Sequence, residues 1–104
     1  MNILGIDFED WYHPELIQKH IEKKYYEPRI IQGINKILEL LNRNDTKATF
    51  FVVGELLEYK PELLDLILDN GHEIGFHTMK HTRVDTAGFQ DEFDNEIKIF
   101  DKLT

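Results

Sequence analysis

Apolar residues along the chain fall into two kinds of run. Short, nearly continuous apolar stretches alternate with longer ones in which apolar side chains recur every three or four positions. Asn2 to Phe8 is the first short run, with Ile3, Leu4, Ile6 and Phe8 apolar around Gly5 and Asp7, and it predicts a buried strand. From Arg29 to Asn42 the residues Ile30, Ile31, Ile34, Ile37, Leu38 and Leu41 recur on one helical face, with Pro28 at the start. Lys47 to Val53 is again almost unbroken, as in a strand of a parallel sheet covered on both faces, and Gly54 lets the chain turn at its end. Glu55 to Tyr59 makes a helical turn. Pro61 opens a helix whose buried face is Leu63, Leu64, Ile67 and Leu68, and Asn70-Gly71 ends it in the left-handed manner. A third strand runs to Phe76 from His72 or Glu73, with Gly75 allowing close approach of another group. After the polar loop Thr82 to Gly88, the stripe Phe89, Phe93, Ile97, Phe100, Leu103 predicts a last helix, with Asp91, Glu92, Asp94 and Glu96 as its solvated side.

The order β-α-β-α-β-α is an α/β pattern, which argues for a parallel sheet with right-handed crossovers. Between Trp11 and Pro28 the connection is longer than the roughly 2–6 residues usual in such units, and Leu16, Ile17 and Ile21 have the partial spacing of a short helix. It is read either as a packed insertion or as a flap over a site. Tyr25 and Tyr26 fit the packed reading, and Trp11 and Tyr12 fit both. No internal repeat or low-complexity segment appears.

Composition narrows the class. The 104 residues, 41% hydrophobic and 31% charged, are enough for one small domain, residues 1–104, with a modest core. A net charge of −8 argues against nucleic acid or an anionic membrane surface as partner. Without cysteine there is neither a disulfide framework nor thiol chemistry. No apolar run approaches the ~20 residues that span a bilayer, and nothing near Met1 reads as a signal peptide, so a cytoplasmic location is expected.

The chemistry gathers at two places. His77 and His81 stand four apart just after the third strand, and on a helical turn both rings would reach one ion. Asp7, Glu9 and Asp10 end the first strand, where carboxylates are costly unless they are paired, hydrogen-bonded or bound to a cation. The carboxyl ends of parallel strands are where such folds build sites. A carboxylate with two imidazoles makes a facial metal site with open positions. His72 is expected to hydrogen-bond near its strand start beside Glu73, and His13 to be a flap or surface histidine rather than a ligand.

Three blocks in order, Leu4-Gly-Ile-Asp-Phe-Glu-Asp-Trp11, Thr49-Phe-Phe-Val-Val-Gly54 and Gly71-His-Glu-Ile-Gly-Phe-His-Thr-Met-Lys-His81, resemble the polysaccharide deacetylase (NodB-homology) family. The Asp-Phe-Glu-Asp-Trp form is similar to the branch associated with exopolysaccharide biosynthesis. The resemblance implies the first three units of a distorted (β/α)7-type barrel. It also implies hydrolysis of N-acetyl groups on a polysaccharide or glycan precursor, through a divalent ion: zinc first, with Co, Ni, Fe or Mn as alternatives. His77 and His81 would be ligands. If Asp7 is the general base, Glu9 or Asp10 is the acidic ligand; in the other register Glu9 is the base and Asp10 the ligand. Strand alternation puts Asp7 and Glu9 on one side, which favours Asp7 as base, with Asp10 ranked ahead of Glu9 as ligand. Thr78 shapes the loop. Trp11, Tyr12 or His13 would touch the sugar.

Family members continue past Thr104 into an arginine-and-proline motif, further strands and a late histidine that serves as general acid. These 104 residues are therefore expected to bind metal but to turn over little. With sheet edges left unpaired, the 104 residues are read as a fragment, a truncated form, or a chain that completes itself by association of copies. The competing readings are a deacetylase-like module without chemistry, and a related amidohydrolase acting on a small amide.

Overall fold

The computed structural model describes residues 3–104; Asn2, which the sequence assigns to the first strand, lies outside the described residues. Three parallel strands form the sheet: β1 (Gly5–Phe8), β2 (Thr49–Val52) and β3 (Glu73–Phe76), in the spatial order β1-β2-β3. The connection from β1 to β2 carries a short helix α1 (Glu15–His20), a 3-10 turn at Lys23–Tyr25 and the long helix α2 (Ile30–Arg43). Helices α3 (Glu55–Tyr59) and α4 (Glu62–Asp69) connect β2 to β3, and α5 (Phe89–Leu103) follows β3. This is the α/β order expected, in keeping with the start of a (β/α) barrel. No helix among the described residues is long and apolar enough to cross a membrane.

Register explains which residues meet. Phe8, Val52 and Phe76 are level across the sheet, as are Asp7, Phe51 and Gly75. Side chains alternate between faces. Phe8, Phe50 and Val52 point into the core, where they pack with Ile34 and Leu38 of α2, Leu56 and Leu57 of α3, Leu63 and Ile67 of α4, and Phe100 of α5. Ile6, Ile74 and Phe76 pack against the same cluster.

The other face departs from the expectation of a sheet buried on both sides. Gly5, Asp7, Phe51 and Glu73 are exposed, Phe51 by 40%. The apolar run of β2 predicted two covers, but α2 to α5 all contribute to the core on one side. The Phe51 ring lies across the glycines of its neighbours. A Cβ on Gly75 would stand 2.7 Å from that ring and one on Gly5 3.1 Å from it, so the small residues make room for the aromatic one.

Two features before β3 conform to the sequence expectation, the turn at Gly71 and the hydrogen bond of His72. Gly71 has φ +84° and closes α4, its N–H donating to Leu68 O while His72 N–H donates to Ile67 O. His72 is buried, and its Nδ1 accepts the Ala48 N–H at 3.1 Å, tying the start of β3 to the start of β2. An accepting Nδ1 places the proton of the neutral ring on Nε2. Burial, and next the Lys47 charge, push the His72 pKa below its ordinary value. The folded chain therefore binds fewer protons at this ring than the unfolded chain does. Its contribution to stability is complete above the unfolded pKa of ~6.5 and is lost as pH falls from there toward the folded value. Denaturant melts between pH 7.5 and 5 should show this loss in the wild type and a smaller one in His72→Gln.

Candidate metal centre

Alternation carries β1 and β3 to a shared point. Glu9 follows Asp7 on the open face of β1, and His77 follows Gly75 on the open face of β3. His77 is held in the ladder, its N–H donating to Val52 O at 3.0 Å, so it stands one step past the level of Phe8, Val52 and Phe76. Two strand spacings, ~10 Å of backbone, separate β1 from β3, and the two side chains reach toward each other over β2. His81 closes the group from the loop.

The ligand atoms of Glu9, His77 and His81 all lie within 4.8 Å of one another. His81 Nε2 stands 3.2 Å from Glu9 Oε2, and the two imidazoles meet edge to face with centroids 4.9 Å apart. Glu9 Oε2 and His77 Nε2 are both buried without a hydrogen-bond partner. Orphaned buried polar atoms cost roughly 1–3 kcal/mol each, more for a charged group. A divalent ion would satisfy both at once, and a two-imidazole, one-carboxylate set suits zinc and its neighbours.

The loop that brings His81 back is not helical, contrary to the expectation from its i, i+4 spacing. Thr78 and His81 have φ of +58° and +61°, the left-handed region. That conformation is unfavourable for non-glycine residues, most of all for a β-branched threonine, and costs on the order of 1–3 kcal/mol. The two reversals fold the chain back within five residues. The surroundings hold them: Thr78 O accepts the Gly54 N–H at 2.8 Å, Met79 O accepts the Glu55 N–H at 2.9 Å, and Thr78 Oγ1 accepts the Thr82 N–H at 3.2 Å. Buried Glu96 of α5 accepts the Met79 N–H at 3.3 Å. Gly54 needs no special dihedral, with φ −60°. What it supplies is space, because a Cβ there would stand 2.2 Å from Met79 Sδ and 3.2 Å from the Phe100 ring. Gly54→Ala should cost about 1–3 kcal/mol by overpacking and should weaken divalent-ion binding by displacing the loop, seen in a thermal melt and a zinc titration.

Asp10, ranked ahead of Glu9 as an acidic ligand, is placed elsewhere. It is 4% exposed; Oδ1 accepts the Trp11 N–H at 2.9 Å, and Oδ2 accepts the N–H groups of Arg29 and Ile30 at 2.7 and 3.0 Å. Its carboxylate thus caps the N-terminus of α2, and alternation points it away from Glu9. His13 is 1% exposed and accepts the Asp10 N–H on Nδ1 at 2.8 Å, which makes it an interior residue rather than a surface one. Asp7 is exposed on the same strand face as Glu9.

Tyr12 is 6% exposed, stacked on Tyr26 at 4.7 Å and tilted against the His13 ring at 4.5 Å, in keeping with the packed one of its two readings. Burial, and next the carboxylate of Asp10, push its pKa up to about 12. Trp11 is 38% exposed, its Nε1–H donating to Glu27 O at 2.8 Å. Glu96, expected on the solvated side of α5, is buried instead; its place between Phe93 and Phe100 in the apolar stripe is the sequence signal for that.

A family profile described as polysaccharide deacetylase matches residues 26–104. The chain belongs to the polysaccharide deacetylase family. That match takes in His77 and His81 but begins after Asp7, Glu9 and Asp10, so the part played by the β1 acids rests on geometry.

Among similar proteins is a peptidoglycan-N-acetylglucosamine deacetylase of Bacillus cereus, 40% identical over 62 residues, covering 60% of this chain and 22% of that protein. A chitooligosaccharide deacetylase of Bradyrhizobium is 37% identical over 59 residues, covering 54% of this chain and 27% of its own length. The peptidoglycan-N-acetylmuramic acid deacetylase PdaA of Bacillus subtilis is 33% identical over 72 residues, covering 66% and 27%. The matched segments thus span about a fifth to a quarter of these relatives.

Proposed function

We propose that this chain carries the metal-binding part of an N-deacetylase acting on an N-acetylated glycan, with Glu9, His77 and His81 as the protein ligands of one divalent ion, zinc in first place. The observation that carries the proposal is the convergence of three ligand atoms, two of them from buried side-chain atoms that make no hydrogen bond. Family membership and the names of the similar proteins support the substrate class.

When bound, such an ion polarises the amide carbonyl and acidifies a water from pKa 15.7 toward ~7. The chain's own residues do the rest. Glu9 and the two histidines fix the ion beside the open sheet face. Asp7, two residues before Glu9 on that face, takes the proton of the attacking water as general base. Oxygen adds to the acetyl carbon, the C–N bond breaks, and the departing amine takes a proton from the donor that the family resemblance places in later motifs, leaving acetate and an amino sugar. The Asp7-Phe-Glu-Asp-Trp11 form supports an exopolysaccharide as the finer choice of substrate.

Acetate release from an N-acetylated chitooligosaccharide tests this, with the 104 residues compared with a longer form that keeps the same site. The proton donor that the family resemblance places in later motifs is not among these residues, so weak release is expected here and strong release from the longer form. EDTA and Glu9→Gln should each abolish it. Release indifferent to both would contradict the proposal.

A further inference from the structure

One buried acid has no part in the chemistry above. Glu96 stands in α5 three residues after Phe93 and four before Phe100, within the apolar stripe, and it is 9% exposed. A carboxylate among apolar side chains is destabilising unless it is paired or hydrogen-bonded. Among the described residues Glu96 makes no salt bridge, and the hydrogen bond it accepts is the Met79 N–H on Oε2, at 3.3 Å. One hydrogen bond of that length to a neutral donor offsets only part of the cost of burial. An apolar side chain of similar volume would complete the stripe with no such cost.

What the bond does hold is a peptide plane. The Thr78 carbonyl and the Met79 N–H belong to one planar peptide unit, midway between His77 and His81. Its oxygen accepts the Gly54 N–H at the end of β2, and its N–H donates to Glu96 from α5. A rigid plane fastened at both ends cannot swing about the chain direction. Fastened at the oxygen alone it can, and the buried N–H then has no acceptor and is driven to turn toward water. Left-handed Thr78 stands directly before this plane and left-handed His81 two residues after Met79. Such conformations persist only where the surroundings over-determine them. The other grips on the loop are the Glu55 N–H on Met79 O, the Gln18 amide on Lys80 O, and the Met79 side chain, buried at Gly54 beside the Phe100 ring. None of these satisfies the Met79 N–H.

We propose that Glu96 is a positioning residue of the metal centre: by fastening the Thr78–Met79 peptide to α5 it sets the spacing at which His77 and His81 can share one ion with Glu9. The proposal rests on the metal-centre reading given above. Glu96 touches neither ion nor substrate, and its burial serves affinity for the ion rather than stability of the fold. Helix α5, which supplies no ligand, thereby becomes part of the site.

Zinc titrations of Glu96→Met and Glu96→Gln, with amide hydrogen exchange at Met79 read in EDTA, are the test. Methionine keeps the volume and removes the acceptor; glutamine keeps an acceptor oxygen and removes the charge. Groups that orient metal ligands are typically worth roughly 10–100-fold in affinity, so Glu96→Met should weaken zinc binding by about tenfold or more. Glu96→Gln should bind close to wild type. Exchange at Met79 should be slow in wild type and Glu96→Gln and fast in Glu96→Met, while the metal-free melts of all three stay close. Glu96→Asp, which keeps the charge but is one methylene too short, should weaken zinc binding like Glu96→Met and stands in if that variant does not fold. Wild-type affinity in Glu96→Met or Glu96→Asp overturns the proposal. So does an equal loss in Glu96→Gln and Glu96→Met, which would assign the effect to charge. No zinc uptake by wild type overturns the metal reading itself, whereas uptake that every variant keeps overturns only the role of Glu96.

Discussion

His77→Ala should remove tight divalent-ion binding from this chain. The groups that hydrogen-bond to metal ligands are typically worth about 10–100-fold in affinity, so loss of a direct ligand should exceed ~100-fold. The structural cost should be small, because the Nε2 that is lost has no hydrogen-bond partner and the ring lies at the end of β3. The two effects separate in a thermal melt. At a zinc concentration 100 times Kd, binding adds ~2.7 kcal/mol to the native state, and for a domain of this size each kcal/mol is worth roughly 4–8 °C. Wild type should therefore gain on the order of 10–20 °C with zinc and the variant almost none, while the metal-free melts of the two stay close. A metal-free variant that melts far below wild type would show that His77 is a structural residue.

Asp10→Ala should be the most destabilising single change in the loop after β1. Its carboxylate receives three backbone N–H groups, those of Trp11, Arg29 and Ile30. Loss of a helix cap alone costs about 0.5–2 kcal/mol, and each buried donor left unsatisfied adds to that by ~1–3 kcal/mol where water cannot reach it. A total of about 2–4 kcal/mol is expected, a fall of ten degrees or more in Tm. Asp10→Asn keeps an acceptor oxygen and should recover part of it. Zinc affinity should fall less than in Glu9→Ala when both are measured below their melting temperatures. Equal loss of zinc affinity in Asp10→Ala and Glu9→Ala would mean that Asp10 is a ligand after all.

Periodicity made the framework legible. The α2 and α5 stripes and the apolar run of β2 predicted elements within a residue or two of those observed, and the alternation of β1 placed Asp7 and Glu9 together. Two things could not be read from one dimension. The first was coverage of the sheet: an apolar run states what a strand tolerates, and the exposed Phe51 face depends on where the helices go. The second was the use of each acid. Glu9 and Asp10 are neighbours of the same charge, and only the distant N-terminus of α2, about twenty residues on, takes one of them as a cap and leaves the other to the histidines. The His77 and His81 rings do come together, but not by the helical turn that their spacing suggested: two left-handed residues bring them there.

The most direct measurement is the zinc-edge anomalous difference map of a crystal of this chain grown with one equivalent of zinc. A single strong peak is expected, with a Glu9 carboxylate oxygen and one nitrogen each from His77 and His81 at ~2.0–2.2 Å. A peak held by Asp10, or no peak among these three side chains, would contradict that assignment.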